Sequence, residues 1–241
     1  MRKNLRKMIC LGLAFVMVLL AAGCGNQEKG ADPEASKETA TQAAAAKQKE
    51  ETESESISGE SEGSDSADSR ILVVYFSRTG EQYNVGIIEK GNTAIVAEMI
   101  GEATGAELYE ILPTDDHYPM TYKELTDVAL QEQRDGARPA YAGELPDFDS
   151  YDTIFIGAPV WWGDWPMILY TVFESTPLSG KTLVPFSTHA GSGLSGFDRS
   201  LAAAYPDCTI AKGLAVAGTD TQNNPDKVQT SVANWLNELG F

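Results

Sequence analysis

Ile71-Leu72-Val73-Val74-Tyr75-Phe76-Ser77-Arg78-Thr79-Gly80 is an apolar run that ends in a small polar turn. Residues 81–91 follow as an insert, and Asn92-Thr93 then open a helical pattern over 94–104. With the insert set aside, the order is strand, Ser-Arg-Thr-Gly-Asn-Thr, helix. An apolar residue at every position suits a strand buried on both faces. The junction aims backbone N–H groups and short hydroxyls at the positive end of a helix dipole, which favours a phosphate. Ser77, Arg78, Thr79, Gly80, Asn92 and Thr93 are therefore candidate phosphate-binding residues. The plainer alternative is an ordinary turn with Asn92 as helix N-cap.

Outward from this junction, apolar runs alternate with helical patterns. Strands are predicted over 71–76, 107–111, 153–158, 182–186 and 209–216, and helices over 94–104, 121–134, 166–174, 196–204 and 225–239. In the last helix Val228, Val232, Trp235, Leu236 and Leu239 fall on one face. Five strands alternating with helices predict a doubly wound α/β sheet with helices on both faces, whose ligand crevice lies at the strand carboxyl ends. The loops after the later strands should then carry chemistry that matches the first.

Two of them do. Gly157-Ala158-Pro159-Val160-Trp161-Trp162-Gly163-Asp164-Trp165-Pro166 places three tryptophans within five residues at a strand end, and an indole left exposed there offers a flat face to a ring system. Ser187-Thr188-His189-Ala190-Gly191-Ser192-Gly193-Leu194-Ser195-Gly196 joins hydroxyls and an imidazole to glycines that let backbone approach a ligand. A phosphate at one end and a planar heterocycle at the other describe the shape of FMN.

These three motifs together resemble the flavodoxin-like superfamily: Tyr75 to Gly80 with Gly91 to Thr93, Pro159 to Gly163, and Pro185 to Gly193. The resemblance covers residues 70–241 and implies a five-stranded parallel sheet in the order 2-1-3-4-5 with FMN as cofactor. It implies that Ser77, Arg78, Thr79, Gly80, Asn92 and Thr93 surround the phosphate. Pro159, Val160, Trp161, Trp162 and Gly163 would contact one side of the ring, and Thr188, His189, Ala190, Gly191 and Gly193 the other. The insert at 81–91 splits the phosphate motif, and its Tyr83 and Ile87 either reach over the ring or cap the end of the domain.

The amino-terminal residues carry a different signal. Arg2, Lys3, Arg6 and Lys7 precede the apolar run Met8 to Ala22, the order of a secretory signal, and Leu20-Ala21-Ala22-Gly23-Cys24 resembles a bacterial lipobox. Residues 1–23 are read as a lipoprotein signal peptide, with Cys24 as the lipidated residue. Residues 24–69 have no aromatic residue, Ile57 as their only large aliphatic, and twelve acids against four lysines. Such a segment buries too little apolar surface to fold and repels itself, so an acidic disordered tether is predicted. The implied location is outside the cytoplasmic membrane of a bacterial cell, anchored by lipid.

The folded part, 70–241, has 23 acids and 10 bases, which argues against nucleic acid and against flat contact with anionic lipid. A redox protein or a small-molecule electron acceptor is the expected partner. Cys208 stands alone in the domain inside an apolar run and reads as a core residue. Asp115-Asp116-His117 lack a further spaced ligand for a metal, so no metal site is expected. Neither Ser192 nor Ser195 sits in the Gly-x-Ser-x-Gly elbow of a serine hydrolase.

Three functions remain open at this point. The first is an FMN-binding electron-transfer protein, and the second an FMN-dependent reductase of quinones or similar acceptors, with His189 as candidate proton or hydrogen-bond donor. The third is a flavin-free binding module on the same fold.

Overall fold

The computed structural model describes residues 70–241; the signal peptide, Cys24 and the tether at 24–69 lie outside the described residues. The central sheet begins with β1 (Ile71–Tyr75), flanked by β4 (Glu107–Glu110) and β5 (Thr153–Pro159), and continues through β6 (Thr182–His189). Its fifth position is shared by two short strands, β7 (Thr209–Ile210) and β8 (Leu214–Ala217), which both pair with β6. All these pairings are parallel. In chain order this is the doubly wound 2-1-3-4-5 arrangement. A separate antiparallel hairpin, β2 (Gly80–Gln82) with β3 (Gly86–Ile88), occupies most of the insert.

Alternation along the strands creates one core on each face. Leu72, Val74 and Phe76 join Ile154, Ile156, Leu183 and residues of α2 (Tyr122–Asp135), α3 (Met167–Ser175) and α4 (Phe197–Ala204) in the first. Val73, Tyr75, Phe155, Val184 and Phe186 join α1 (Asn92–Thr104) and α6 (Pro225–Leu239) in the second. Val228, Val232, Trp235 and Leu236 are the buried face of α6, as their spacing predicts. Cys208 is half-buried and packs against the edge of the first core.

The single fifth strand expected over 209–216 is corrected by the structure, and Pro185 on the neighbouring strand is the reason. Ala211 N–H reaches the carbonyl of Leu183 at 2.9 Å, but Pro185 has no N–H to continue that ladder. Pairing resumes only at Phe186 with Leu214, after Leu183 with Ile210, so the outer strand gains one residue across the break. A short helix not expected from the sequence, α5 (Gly218–Asn223), follows β8 directly and leads into α6. Among the described residues, no helix is long and apolar enough to cross a membrane.

Candidate functional site

At the carboxyl end of β1 the turn Ser77–Thr79 meets the start of α1. Ser77 Oγ accepts the N–H of Ala94 at 3.0 Å, so the strand end caps the helix in place of its own Gly91, which has no side chain to do so. The contact is close. A β-carbon on Gly91 would lie 2.1 Å from Ser77 Oγ and 2.7 Å from the carbonyl oxygen of Arg78. Among the described residues, the N–H groups of Arg78, Thr79, Asn92 and Thr93 donate to no carbonyl or side chain. Backbone donors left free beside a helix N-terminus fit a phosphate.

The side chain of Arg78 turns elsewhere. Its guanidinium contacts Asp116 at 2.7 and 2.8 Å and the carbonyl of Tyr118 at 2.8 Å, and lies over the Tyr118 ring. Its Nε is buried without a partner. Of this residue, the backbone N–H and Nε are what remain for an anion.

A cavity of about 220 Å³ opens beside the cradle. Of the residues singled out in the three motifs, its wall holds Asn92, Pro159, Val160, Trp161, Trp162, Thr188, His189 and Ala190. Ser77, Arg78, Thr79, Gly80, Thr93, Gly163, Gly191 and Gly193 lie outside that wall. Thr188 joins all three loops: its buried hydroxyl meets Thr93 Oγ1 at 2.8 Å, and its carbonyl accepts the N–H of Val160 at 2.9 Å. Ser187 Oγ donates to the carbonyl of Gly193 at 3.0 Å, which folds the glycine loop back on the strand end.

The tryptophan loop separates into three roles. Trp165 is fully buried and stacks on Phe197, with ring centroids 3.5 Å apart. Trp161 is fixed edge-on against Phe76 and Tyr118, at 5.5 and 5.1 Å. Trp162 is 53% exposed and has a left-handed φ of 49°. Trp161 and Asp164 exchange two backbone hydrogen bonds of 3.0 Å around it, and Gly163 follows at φ 81°. Two left-handed residues inside this isolated bridge make a type I′ turn, where the bulk of Trp162 is unfavourable. The indole N–H of Trp162 donates to the carbonyl of Thr126 at 2.8 Å, and Gln133 Nε2 approaches the Trp162 carbonyl at 3.5 Å.

His189 Nδ1 accepts the N–H of Gly191 at 2.9 Å, which leaves the proton on Nε2 as a donor. Burial lowers its pKa below the usual 6.5, so the ring is neutral at pH 7. His117 is different. Its Nε2 meets Glu132 Oε1 at 2.7 Å and its Nδ1 meets the carbonyl of Asp115 at 3.0 Å. Asp116 is held by Arg78 and His117 by buried Glu132, so these residues are already engaged.

The rest of the wall comes from places the motifs do not reach. The hairpin contributes Gln82, Tyr83 and Val85, α2 contributes Tyr122, Leu125, Thr126 and Ala129, and the chain after β8 contributes Gly218. Glu81 ties the hairpin to α2: its N–H donates to the carbonyl of Met120 and its carboxylate accepts the N–H of Tyr122, both at 2.8 Å. Tyr83 lies 5.5 Å from Tyr122, ring to ring, whereas Ile87 is 84% exposed and off the wall. Of the two hairpin residues singled out, Tyr83 reaches the cavity. Leu125 and Ala129 fall inside the helix predicted over 121–134, which gave them no part in the site, and Gly218 carries no signal at all.

A doubly wound sheet with this cradle and aromatic wall defines the flavodoxin architecture. The flavodoxin family profile matches residues 70–239, and the chain belongs to that family. A protein of Bacteroides eggerthii classed as a flavoprotein is 31% identical, covering 72% of this chain and 99% of its own, with a TM-score of 0.56. Another from Bacteroides uniformis is 30% identical over 68% of this chain and 98% of its own, with a TM-score of 0.55. A Lactobacillus acidophilus flavoprotein solved in complex with FMN shares the fold at 20% identity, covering 69% of this chain and 98% of its own, with a TM-score of 0.51. No curated protein matches the chain.

Proposed function

We propose that this protein binds FMN and transfers electrons on the outer side of a bacterial cytoplasmic membrane, anchored through lipid on Cys24 and reaching its partners on the acidic tether. The observation that carries this reading is the group of free backbone donors at the start of α1, beside a cavity walled by Trp161, Trp162 and His189. When bound, FMN supplies one- and two-electron redox chemistry. The residues here hold and tune it. Arg78, Thr79, Asn92 and Thr93 would offer N–H groups to the phosphate, Trp161 and Trp162 would line one side of the ring, and His189 Nε2 would offer a hydrogen bond. With 23 acids against 10 bases in residues 70–241, the domain disfavours added negative charge in the site and thereby lowers the reduction potential.

The partner is a redox protein or a small-molecule acceptor. A reductase of small molecules is the second reading, favoured by the hairpin, since Gln82, Tyr83 and Val85 add to the wall of the cavity. An absorbance spectrum of the purified protein, followed by reductive titration, tests the main reading. Protein that is colourless and remains so after FMN is added would establish a flavin-free binding module instead. Rapid mixing with NAD(P)H then separates reductase from carrier, since only the reductase takes up hydride quickly.

A further inference from the structure

Behind the phosphate cradle, on the short helix α5 that no motif covers, Gln222 makes two hydrogen bonds through one nitrogen. Its Nε2 lies 3.1 Å from the carbonyl oxygen of Lys90 and 2.8 Å from Asn92 Oδ1. A backbone carbonyl can only accept, so Gln222 must present its amide nitrogen there. A nitrogen in that position can only donate to Asn92, so Asn92 must present its oxygen. The orientation of the Asn92 carboxamide is thereby fixed, and its NH₂ group faces away from Gln222.

That NH₂ group has no acceptor among the described residues, although Asn92 is only 9% exposed. Asn92 lines the cavity, and so does Gly218 beside it. A β-carbon on Gly218 would lie 2.6 Å from Asn92 Nδ2, so this donor sits in the notch left by a missing side chain. The nitrogen is reached from the cavity, so it is free to donate to a ligand atom there.

We propose that Gln222 is a positioning residue for the phosphate end of the cofactor. It holds Asn92 so that the carboxamide nitrogen, and not its oxygen, faces the phosphate oxygens at the start of α1. Without Gln222 the Asn92 amide is free to rotate by half a turn and present an acceptor to an anion. The inference rests on the FMN reading of the site, and it concerns phosphate recognition alone.

The test uses the full chain, stripped of flavin, titrated separately with FMN and with riboflavin, which lacks the phosphate. Gln222→Met keeps the side-chain length and removes the donor; Gln222→Glu replaces it with an acceptor. Loss of one positioned hydrogen bond to a charged group predicts FMN binding weakened about tenfold in Gln222→Met, with a larger loss in Gln222→Glu. Riboflavin affinity should stay within about twofold, since nothing that contacts the ring changes. The ³¹P resonance of bound FMN should shift in both variants. Equal loss for the two flavins, or no loss for FMN, overturns the proposal and leaves the FMN reading intact. Wild-type protein that binds neither flavin overturns both.

Discussion

At the proposed phosphate end of the site Gly91 approaches so closely that a β-carbon would lie 2.1 Å from Ser77 Oγ, while at the proposed ring end Trp162 projects a large indole from left-handed backbone. Gly91 itself has an ordinary φ of −65° and ψ of 145°. Any residue could adopt its conformation, and the space forbids a side chain. At Trp162 the space admits the side chain and the conformation is unfavourable, by about 1–2 kcal/mol. The cradle is therefore specified by packing against backbone, and the ring wall by a strained turn held in place by its neighbours. Substitutions at the two ends should fail for opposite reasons.

The largest effect is expected at Gly91. Gly91→Ala forces Ser77 and Arg78 back from the start of α1, removes the cap that Ser77 gives to Ala94, and costs about 3 kcal/mol by overpacking and loss of the cap. Stability and flavin affinity should fall together, affinity by more than about a hundredfold, because the same shift misaligns the free N–H donors. Urea denaturation of the apoprotein and FMN titration measure the two. A Gly91→Ala chain that keeps wild-type stability would remove steric closeness as the basis of the cradle.

The cradle was legible in the sequence because its parts are local: a strand end, hydroxyls, a glycine and a helix start within 71–94. The tryptophan loop was legible for the same reason, although three indoles in one loop gave no sign of which was core; burial assigns Trp165 to the core. The hairpin was not legible as strands. Gly80–Gln82 and Gly86–Ile88 are three residues each with no alternation, and Glu81 stabilises them by bonding to Met120 and Tyr122 on a distant segment. The break in the fifth strand is set by Pro185 on another strand, and residues 209–216 mark it only by Gly213, where a β-carbon would lie 2.8 Å from the Pro185 carbonyl oxygen. Gln222 reaches Asn92 across 130 residues, beyond any local pattern.

The second prediction reverses the sign of the first. Trp162→Asn produces Asn-Gly in a type I′ turn, the pairing such turns prefer. Relief of backbone strain and loss of the indole bond to Thr126 nearly cancel, so stability should hold or rise by about 0.5 kcal/mol. FMN affinity should fall about tenfold through loss of the aromatic face. Stability retained with affinity lost is the signature of a residue kept for its ligand. If Trp162→Asn unfolds as readily as Gly91→Ala, the indole is structural and the contrast between the two ends disappears.

The smallest effect comes from the loop that supports both ends. Tyr118 packs edge-on against Trp161 at the ring end and lies beneath the guanidinium of Arg78 at the cradle end. Its hydroxyl donates to Glu132 at 3.1 Å, and the same carboxyl group takes His117. Burial disfavours the His117 charge, but the bonds to Glu132 and to the Asp115 carbonyl, with both carboxylates, outweigh it and raise the pKa above 6.5. The folded state therefore binds this proton more tightly than the unfolded chain. Its contribution is complete below pH 6.5 and is lost as pH rises through the raised value. The imidazole is 43% exposed, so solvent screening limits the contribution to about 0.5 kcal/mol. Urea midpoints from pH 6 to pH 9 should fall slightly in the wild type, and less in His117→Gln, which cannot carry the charge. Parallel curves for the two proteins would detach His117 from the stability of the loop. A flavin affinity that weakens over the same range only in the wild type would show that the loop transmits its state to the cradle and the ring wall together.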